Sequence, residues 1–337
     1  MIQEQQALQP LTTMGVHAFS RYFAEIHSVQ DLNTIMERKP ESVPVMILGG
    51  GSNVLFASDY DGLMVHNRIR GIQQRSENKD EVLLTVGAGE NWHQLVMHCV
   101  ENGWGGIENL ALIPGSVGAA PIQNIGAYGV ELVDVFVELE AFELSSGLVK
   151  TFSKEECQFG YRNSIFKHQE KGKWVIISVT LRLLKQKEPN IGYAALQTEL
   201  EQRGIHKPTI KQVSEAVIAV RQSKLPDPAK IGNTGSFFKN PVVPLDTFNE
   251  LNRSYPELPH YPIDDASVKI PAGWLIEQAG WKGKRVGNTG TYKKQALVIV
   301  NYGEATGQEI WAFAKHIQSS VNEMFGVELE PEVNVIK

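Results

Sequence analysis

Apolar residues recur along the chain with two periods, and the change from one to the other marks out its elements. VPVMIL (43–48) is a short apolar run of the buried-strand type, and it leads directly into GGGSN (49–53). VLLTVGAG (82–89) reads as a second strand ending in glycines. Behind it, Trp92, Leu95, Val96, Cys99 and Val100 fall at helical spacing, predicting an amphipathic helix that Gly103 is placed to end. Val133, Val135, Val137, Leu139 and Ala141 alternate with mostly acidic neighbours, which predicts a half-buried strand closed into a hairpin by the SSG turn. WVIISVTLRL (174–183) predicts another strand, and helices follow at about 194–203 and 211–223, the second with Val213, Ala216, Val217 and Val220 on one face. The last third offers AGWLIEQAGW (272–281), the strand ALVIVN (296–301) and a long helix over 307–325 lined by Ile310, Phe313, Ala314, Ile317, Val321 and Met324. VELEPEVNVIK (327–337) closes the chain as a strand.

One stretch fits neither period. In IPGSVGAAPIQNIGAYG (113–129), nine of seventeen residues are Gly, Ala or Pro and none is charged. Gly and Pro punctuate it too often for a helix or strand, yet it is too apolar for a solvated linker. Bare backbone kept inside a protein points to something packed against it.

The 337 residues, 42% hydrophobic and 21% charged, are enough for two or three domains with real cores. There are no internal repeats, and the breaker-rich RQSKLPDPAKIGNTGSFFKNP (221–241) is the best candidate boundary. A net charge of −6 gives no general field for nucleic acid or anionic lipid, so an anionic ligand must be held by a few placed cations. Cys99 and Cys157 show no CxxC or zinc spacing, and His93 and His98, inside a helical pattern, read as structural, so no metal is expected. With neither a basic, apolar leader nor a membrane-length apolar run, the expectation is a cytoplasmic protein.

Candidate chemistry begins at the glycines. GGGSN follows a strand as a phosphate-binding turn would, with backbone N–H groups able to approach an anion, though it is neither a Walker A motif nor GxGxxG. GAGENW (87–92) is a second such junction, and the 113–129 stretch a third. Three of them suit one long ligand such as a dinucleotide, and equally suit ordinary turns. YRNSIFK (161–167) sets Arg162 in a segment fit for burial, where it needs an anionic partner, whether a ligand or a protein carboxylate. SKLPDP (223–228) and GSFFKNP (235–241) place Lys224, Ser236, Lys239 and Asn240 beside breakers, as a ligand-binding loop would. LEPEV sets Glu330 and Glu332 on one face of a strand, which a solvated edge would also explain.

Taken in order, GGGSNVLF, GAGENW, GWGGIENLALIPGSVGAAPIQNIGAYGVEL, YRNSIFK, KLPDP…GNTGSFFKNP, AGWLIEQAG…KG and LEPEV resemble the UDP-N-acetylenolpyruvoylglucosamine reductase family of flavoenzymes over nearly the whole chain. NIGYAALQ (190–197) is similar to the subtype with an extra substrate-covering tyrosine loop. The resemblance implies an α+β fold: two FAD-binding domains of the vanillyl-alcohol-oxidase type, over 1–68 and 69–220 with the strand 327–337 returning to the latter, and a substrate-binding domain over 221–326. It implies FAD as cofactor, NADPH as co-substrate, and reduction of UDP-N-acetylglucosamine enolpyruvate to UDP-N-acetylmuramate for peptidoglycan synthesis, by a monomer. By the same matching Arg162 holds the substrate carboxylate, Glu332 assists it, and Ser236 donates a proton. FAD would lie along Gly49, Gly50, Gly51, Ser52 and Asn53, along Pro114, Gly115, Ser116, Gly118 and Ala119, and along Gln123, Asn124, Gly126, Ala127 and Tyr128. Tyr193, Lys224, Lys239, Asn240, Lys282 and Gln295 would contact substrate, while Asn334 stands where relatives usually place an arginine. The alternatives are another flavin oxidoreductase of this fold acting on a small alcohol or sugar, or a non-catalytic nucleotide-sugar sensor. The sensor reading predicts loss of Arg162, Ser236 or Glu332, and all three stand.

Overall fold

A computed structural model describes residues 1–186 and 188–337, and the chain divides into two units. The first comprises Met1–Gln6, Ser20–Gly51 and Asp61–Ser223. Its smaller sheet runs in the order Gln3–Ala7, Phe19–Ile26, Tyr60–Asn67, Val45–Leu48, the last two strands parallel. The helix Val29–Arg38 starts where Ser28 Oγ accepts a hydrogen bond from the Asp31 N–H at 3.1 Å. It buries Leu32 and Ile35 with Ala24, Ile26, Leu63 and Val65 of that sheet.

The larger sheet of this unit is antiparallel, in the order Val149–Ser153, Phe136–Glu143, Trp174–Leu184, Glu81–Gly87, Ile72–Glu77. The expected hairpin forms, but its strand begins only at Phe136. Glu131 and Asp134 cap each other reciprocally and fold Leu132–Asp134 into a helical turn, so Val133 precedes the strand. The helix Trp92–Glu101 is N-capped by Asn91, whose Oδ1 accepts from the Gln94 N–H at 3.0 Å. Trp92 is buried and donates its indole N–H to the Leu110 carbonyl at 3.1 Å, fixing the start of the helix to the loop that follows it. The apolar stripe of the helix Ile210–Lys224, Val213, Ala216 and Val217, joins the same core.

The second unit comprises Ala7–Phe19, Ser52–Tyr60 and Lys224–Lys337. Its main sheet runs Gly232–Ser236, Gln295–Asn301, Thr289–Tyr292, Arg285–Val286, with antiparallel neighbours, and a small sheet joins Val242–Pro244, Ser267–Lys269 and Tyr261–Pro262. The helix Gly307–Phe325 opens on a capping box between Thr306 and Glu309 and ends at Gly326, whose φ of 64° lies in the left-handed region. Two expectations need correction here. Met324 is 47% exposed, and Phe325, one residue on, takes the buried position at 5%. The closing strand covers only Asn334–Ile336, because Glu330–Glu332 pair irregularly with the Phe237–Lys239 segment before the chain reaches Val54–Phe56, with which it pairs in parallel.

Gly307 sits where this helix meets that strand. A β-carbon on it would lie 2.6 Å from the Phe56 carbonyl carbon and 2.8 Å from Ala57 Cα, both backbone atoms that cannot swing aside. Gly→Ala in a helix ordinarily gains up to about 1 kcal/mol, whereas a backbone clash costs about 1–3 kcal/mol or more. Gly307→Ala is therefore expected to be net destabilising and to lower the thermal unfolding midpoint by several degrees. Burial pushes the Cys99 and Cys157 thiols up to about 12, the first aided by Glu108 and the second by Glu156 and Glu155. Only the thiolate is nucleophilic, so iodoacetamide at pH 8 should label neither in the native protein and both after denaturation, as mass spectrometry would read.

Candidate active site

The glycine segments of the first unit are brought to one place and stitched together by main chain. A β-carbon on Gly50 would come within 2.7 Å of Gly115 Cα, and one on Gly118 within 2.5 Å of Ala88 Cβ. The Gly118 N–H donates to the Ala88 carbonyl at 2.8 Å, Val117 N–H to Glu90 at 2.9 Å, and Trp92 N–H to Gly115 at 3.0 Å. Gly49–Gly51, the GAGENW junction and Pro114–Ala119 thus form one continuous surface of backbone. At Gly49, Gly50 and Gly118 there is no volume for a side chain.

The rest of that stretch is tied to the turn that carries Arg162. Gly160 and Asn163 exchange two N–H···O bonds of 3.1 Å, leaving Tyr161 and Arg162 at the tip. Arg162 has φ 52°, a left-handed conformation that a non-glycine residue adopts at a cost of about 1 kcal/mol or more. Its Nη2 donates to the Gly126 carbonyl at 2.8 Å. Ser164 Oγ donates to the Ile122 carbonyl at 2.7 Å. Between these ties, Asn124 Nδ2 donates to the Gly160 carbonyl at 3.2 Å and to Glu131 at 2.8 Å, while its Oδ1 accepts from the Val133 N–H at 3.0 Å. The side chain of Asn124, 1% exposed, is spent on the protein itself.

Gly126–Ala127 and Val130–Glu131 pair as a minimal hairpin with Tyr128 and Gly129 at its turn, both at positive φ (51° and 80°). This is the type I′ geometry, where asparagine and glycine are the usual occupants. A tyrosine held there against that preference marks a place where the side chain matters. Its ring meets Tyr193 edge-on, with centroids 5.1 Å apart, and the Arg221 guanidinium lies near enough to oppose the effect of burial on its hydroxyl. Burial raises the Tyr128 pKa, so the phenol is neutral at ordinary pH.

Arg221 is the residue that motif reading missed. Burial pushes its guanidinium below the usual arginine value, and Arg162 adds to that while Tyr128 opposes it. Its Nε is buried without a hydrogen-bond partner among the described residues, and no carboxylate among them pairs with it. A signal was present: Arg221 lies four residues after Val217 and one after Val220, so it continues the apolar stripe of its helix inward. His93 Nδ1 accepts from the Leu112 N–H at 3.0 Å, and burial lowers its pKa, with Arg221 adding to the shift. The histidine is structural and neutral.

In the second unit, the segments that carry Ser236 and Glu332 are joined through main chain. The Glu332 N–H donates to the Phe237 carbonyl and the Lys239 N–H to the Glu330 carbonyl, both at 2.9 Å, with Phe238 opposite Pro331 between them. The strand Gly232–Ser236 carries an irregularity between Asn233 and Ser236, and Gly235 has φ 72°. Such a bulge re-aims the next side chain, here that of Ser236. The Asn53 side chain donates to the Glu332 carbonyl at 3.3 Å, and Asn334 returns two bonds to the Asn53 carbonyl, 3.1 Å from its N–H and 3.0 Å from its Nδ2. Asn334 thus serves as a lock on Asn53.

The expected substrate residues are differently placed. Lys239 pairs with Glu330 at 2.6 Å, and Lys282 bonds both oxygens of Glu277 at 2.8 and 2.9 Å. Asn240 Oδ1 accepts from the Ala272 N–H at 2.9 Å, at the start of the helix Ala272–Gln278. Gln295 Oε1 accepts from the Leu297 N–H at 3.3 Å, Lys224 is exposed at its helix end, and Tyr193 is 45% exposed. Among the described residues there is no His/Cys/Asp/Glu group able to hold a metal, and no helix long and apolar enough to cross a membrane.

These features fit FAD. Bare backbone can lie against a pyrophosphate or a flat ring system, and Arg221 offers a buried positive charge with an orphaned donor. Known proteins agree. A model described as an FAD binding domain matches residues 20–153, and one described as the UDP-N-acetylenolpyruvoylglucosamine reductase C-terminal domain matches residues 227–336. The reductase of that name from Amoebophilus asiaticus is 50% identical over 337 residues, covering 100% of this chain and 99% of that protein. The one from Flavobacterium johnsoniae is 48% identical over 99% of both. The crystal structure of the Thermus caldophilus enzyme superposes with a TM-score of 0.70 at 22% identity, covering 100% of both chains, which establishes the α+β fold. With relatives about half identical from end to end, this chain is an FAD-binding oxidoreductase and belongs to the UDP-N-acetylenolpyruvoylglucosamine reductase family.

Proposed function

We propose that this protein reduces the enolpyruvyl ether of UDP-N-acetylglucosamine to the lactyl ether of UDP-N-acetylmuramate, in the cytoplasm and as a monomer, with NADPH as reductant. The division into 1–68, 69–220 and 221–326 belongs to the same reading. The observation that supports it is the main-chain pairing of Phe237–Lys239 with Glu330–Glu332, which joins the segment that carries Ser236 to the one that carries Glu332. Family membership supplies the substrate class.

Bound FAD, recharged by NADPH, supplies the hydride. The residues then handle charge and the proton. Hydride addition to the terminal carbon of the double bond drives negative charge onto the substrate carboxylate, and that enolate-like species is what the protein must stabilise. Arg162 provides a fixed positive charge from a turn held by three cross-links. Glu332, as a hydrogen-bonding carboxyl, shares the carboxylate. The Ser236 hydroxyl gives its proton to the adjacent carbon and regains one from solvent. A hydroxyl suffices as acid because the carbon being quenched is a far stronger base than an alkoxide.

Tyr193 covers the uridine diphosphate, and Lys224, Lys239, Asn240, Lys282 and Gln295 reach the rest of the nucleotide sugar. The existing pairs of Lys239 and Lys282 do not stand in the way. A partly exposed ion pair contributes at most about 1 kcal/mol, so a doubly charged diphosphate can outcompete a single carboxylate.

Replacing Ser236 by Ala is expected to leave flavin reduction by NADPH near the wild-type rate. Reoxidation by UDP-N-acetylglucosamine enolpyruvate should slow to or beyond the upper end of the roughly 10²–10⁴-fold range for loss of a general acid. Anaerobic stopped-flow at the flavin band separates the two, and unchanged reoxidation would remove Ser236 from its role. For Arg221, hydrogen bonds to a charged group contribute about 1.5–3 kcal/mol, so Arg221→Met should weaken FAD binding by about tenfold or more. Titration of the apoprotein with FAD would show it; Arg221→Lys, which keeps the charge without the planar fork, should recover only part of the loss.

A further inference from the structure

Ser236 owes its direction to an interruption in its own strand. Asn233 pairs with Val300 and Ser236 with Val298, so three steps along one strand match two along the other. In an unbroken strand Asn233 and Ser236 would face opposite ways, and the extra residue brings both to one face. Gly235, with φ 72°, makes the left-handed step that this path requires. Thr234 is the residue left over, its hydroxyl buried without a hydrogen-bond partner among the described residues. A path that strands a hydroxyl in this way has to be held by something else.

Asn233 holds it from within. The residue is buried, and its Oδ1 accepts from the Gly235 N–H at 3.0 Å, closing the turn. Its Nδ2 donates to the Ile231 carbonyl at 2.9 Å and to the Pro226 carbonyl at 3.2 Å. Thr13, 220 residues away in sequence and outside every motif described above, holds it from the other side. The Thr13 hydroxyl donates to the Asn233 carbonyl at 2.7 Å, and the Thr13 carbonyl accepts from the Asn233 N–H at 3.0 Å. The two segments are pressed together at the next position, where a β-carbon on Gly232 would lie 3.0 Å from the Met14 carbonyl carbon. A local Asx turn accounts for the Gly235 bond alone. It does not account for a distant segment that satisfies both main-chain groups of the residue at which the bulge begins.

We infer that Thr13 and Asn233 are positioning residues for proton transfer, which fix the bulge and so keep the Ser236 hydroxyl in one direction. This rests on the reductase reading, in which Ser236 is the acid. Thr13 acts through the main chain of Asn233, and Asn233 through the main chain of Gly235; neither is a catalytic residue. A displacement of about 1 Å in a reacting group can slow a step by about 10²-fold, so a small change at the bulge has a measurable effect on the acid.

The test uses the FAD-loaded enzyme. Thr13→Val removes the hydroxyl at nearly constant volume and Thr13→Ser keeps it, while Asn233→Asp keeps the acceptor for the Gly235 N–H and loses the two donors. Thr13→Val and Asn233→Asp should leave flavin reduction by NADPH within about twofold of wild type and slow reoxidation by saturating UDP-N-acetylglucosamine enolpyruvate by about 10–100-fold. Thr13→Ser should reoxidise at close to the wild-type rate. Because only the aim of Ser236 is disturbed, Thr13→Val added to Ser236→Ala should slow reoxidation no further than Ser236→Ala does by itself. A purely structural role would instead add its effect to that of Ser236→Ala, or slow both half-reactions together, and either result overturns the inference. So does normal reoxidation in both Thr13→Val and Asn233→Asp beside a slow Ser236→Ala, which leaves the proposed function intact. A wild-type enzyme whose reduced flavin is not reoxidised by the nucleotide sugar, or a Ser236→Ala enzyme reoxidised at the wild-type rate, would overturn the reading of Ser236 as the acid and this inference with it.

Discussion

The space between Gly50 and Gly115, where a β-carbon would come within 2.7 Å of an α-carbon, is the constraint on which the first unit is organised. Main chain that close leaves Gly50 no room for a side chain, and Gly118 is likewise crowded by the Ala88 side chain. Holding backbone against backbone costs contact area that side chains would otherwise bury, so the loops depend on hydrogen bonds and on neighbouring cores. The bonds from Val117, Gly118 and Trp92 supply the first, and the helix Trp92–Glu101, packed through Trp92, Leu95 and Val96, supplies the second.

From that frame the strain at the site becomes intelligible. Asn124, Tyr128 and Arg162 all sit at positive φ, at an expected cost of about 1 kcal/mol or more each. Such conformations persist only when their surroundings over-determine them, and here they do. The Asn124 amide makes three bonds, the Arg162 turn is closed at both ends, and the Tyr128 turn is held by the Asn109 amide. Arg162 and Arg221 add a second unfavourable term, since each carries charge into a partly buried region within reach of the other. Bound anionic groups would relieve that repulsion.

Much of this was legible in the sequence, for physical reasons that also mark the limits. The apolar periods of the helices Trp92–Glu101 and Ile210–Lys224 come from local geometry, and the structure keeps them. The 113–129 stretch announced bare backbone because composition alone excludes helix and strand. Reading failed where one specific contact overrides the period. Val133 alternates like a strand residue, but a reciprocal cap between Glu131 and Asp134 draws it into a turn. Met324 keeps the helical period, yet the last turn rotates Phe325 inward. Arg221 was overlooked because charge usually ends an apolar face, and only its unpartnered Nε shows that here the charge is wanted inside.

The pairing of the Ser236 and Glu332 segments has a consequence for how sequences of this kind can drift. Every bond that aligns them, from the Glu332 N–H to Phe237, from the Lys239 N–H to Glu330, and from Asn53 to the Glu332 carbonyl, is made to or by the main chain. Main-chain groups are the same whatever residue carries them, apart from proline. The register of the two segments is therefore inherited from the strand path, and substitutions along them change packing without shifting it. A lineage can rewrite the side chains along such a pairing while its register passes unchanged from ancestor to descendant.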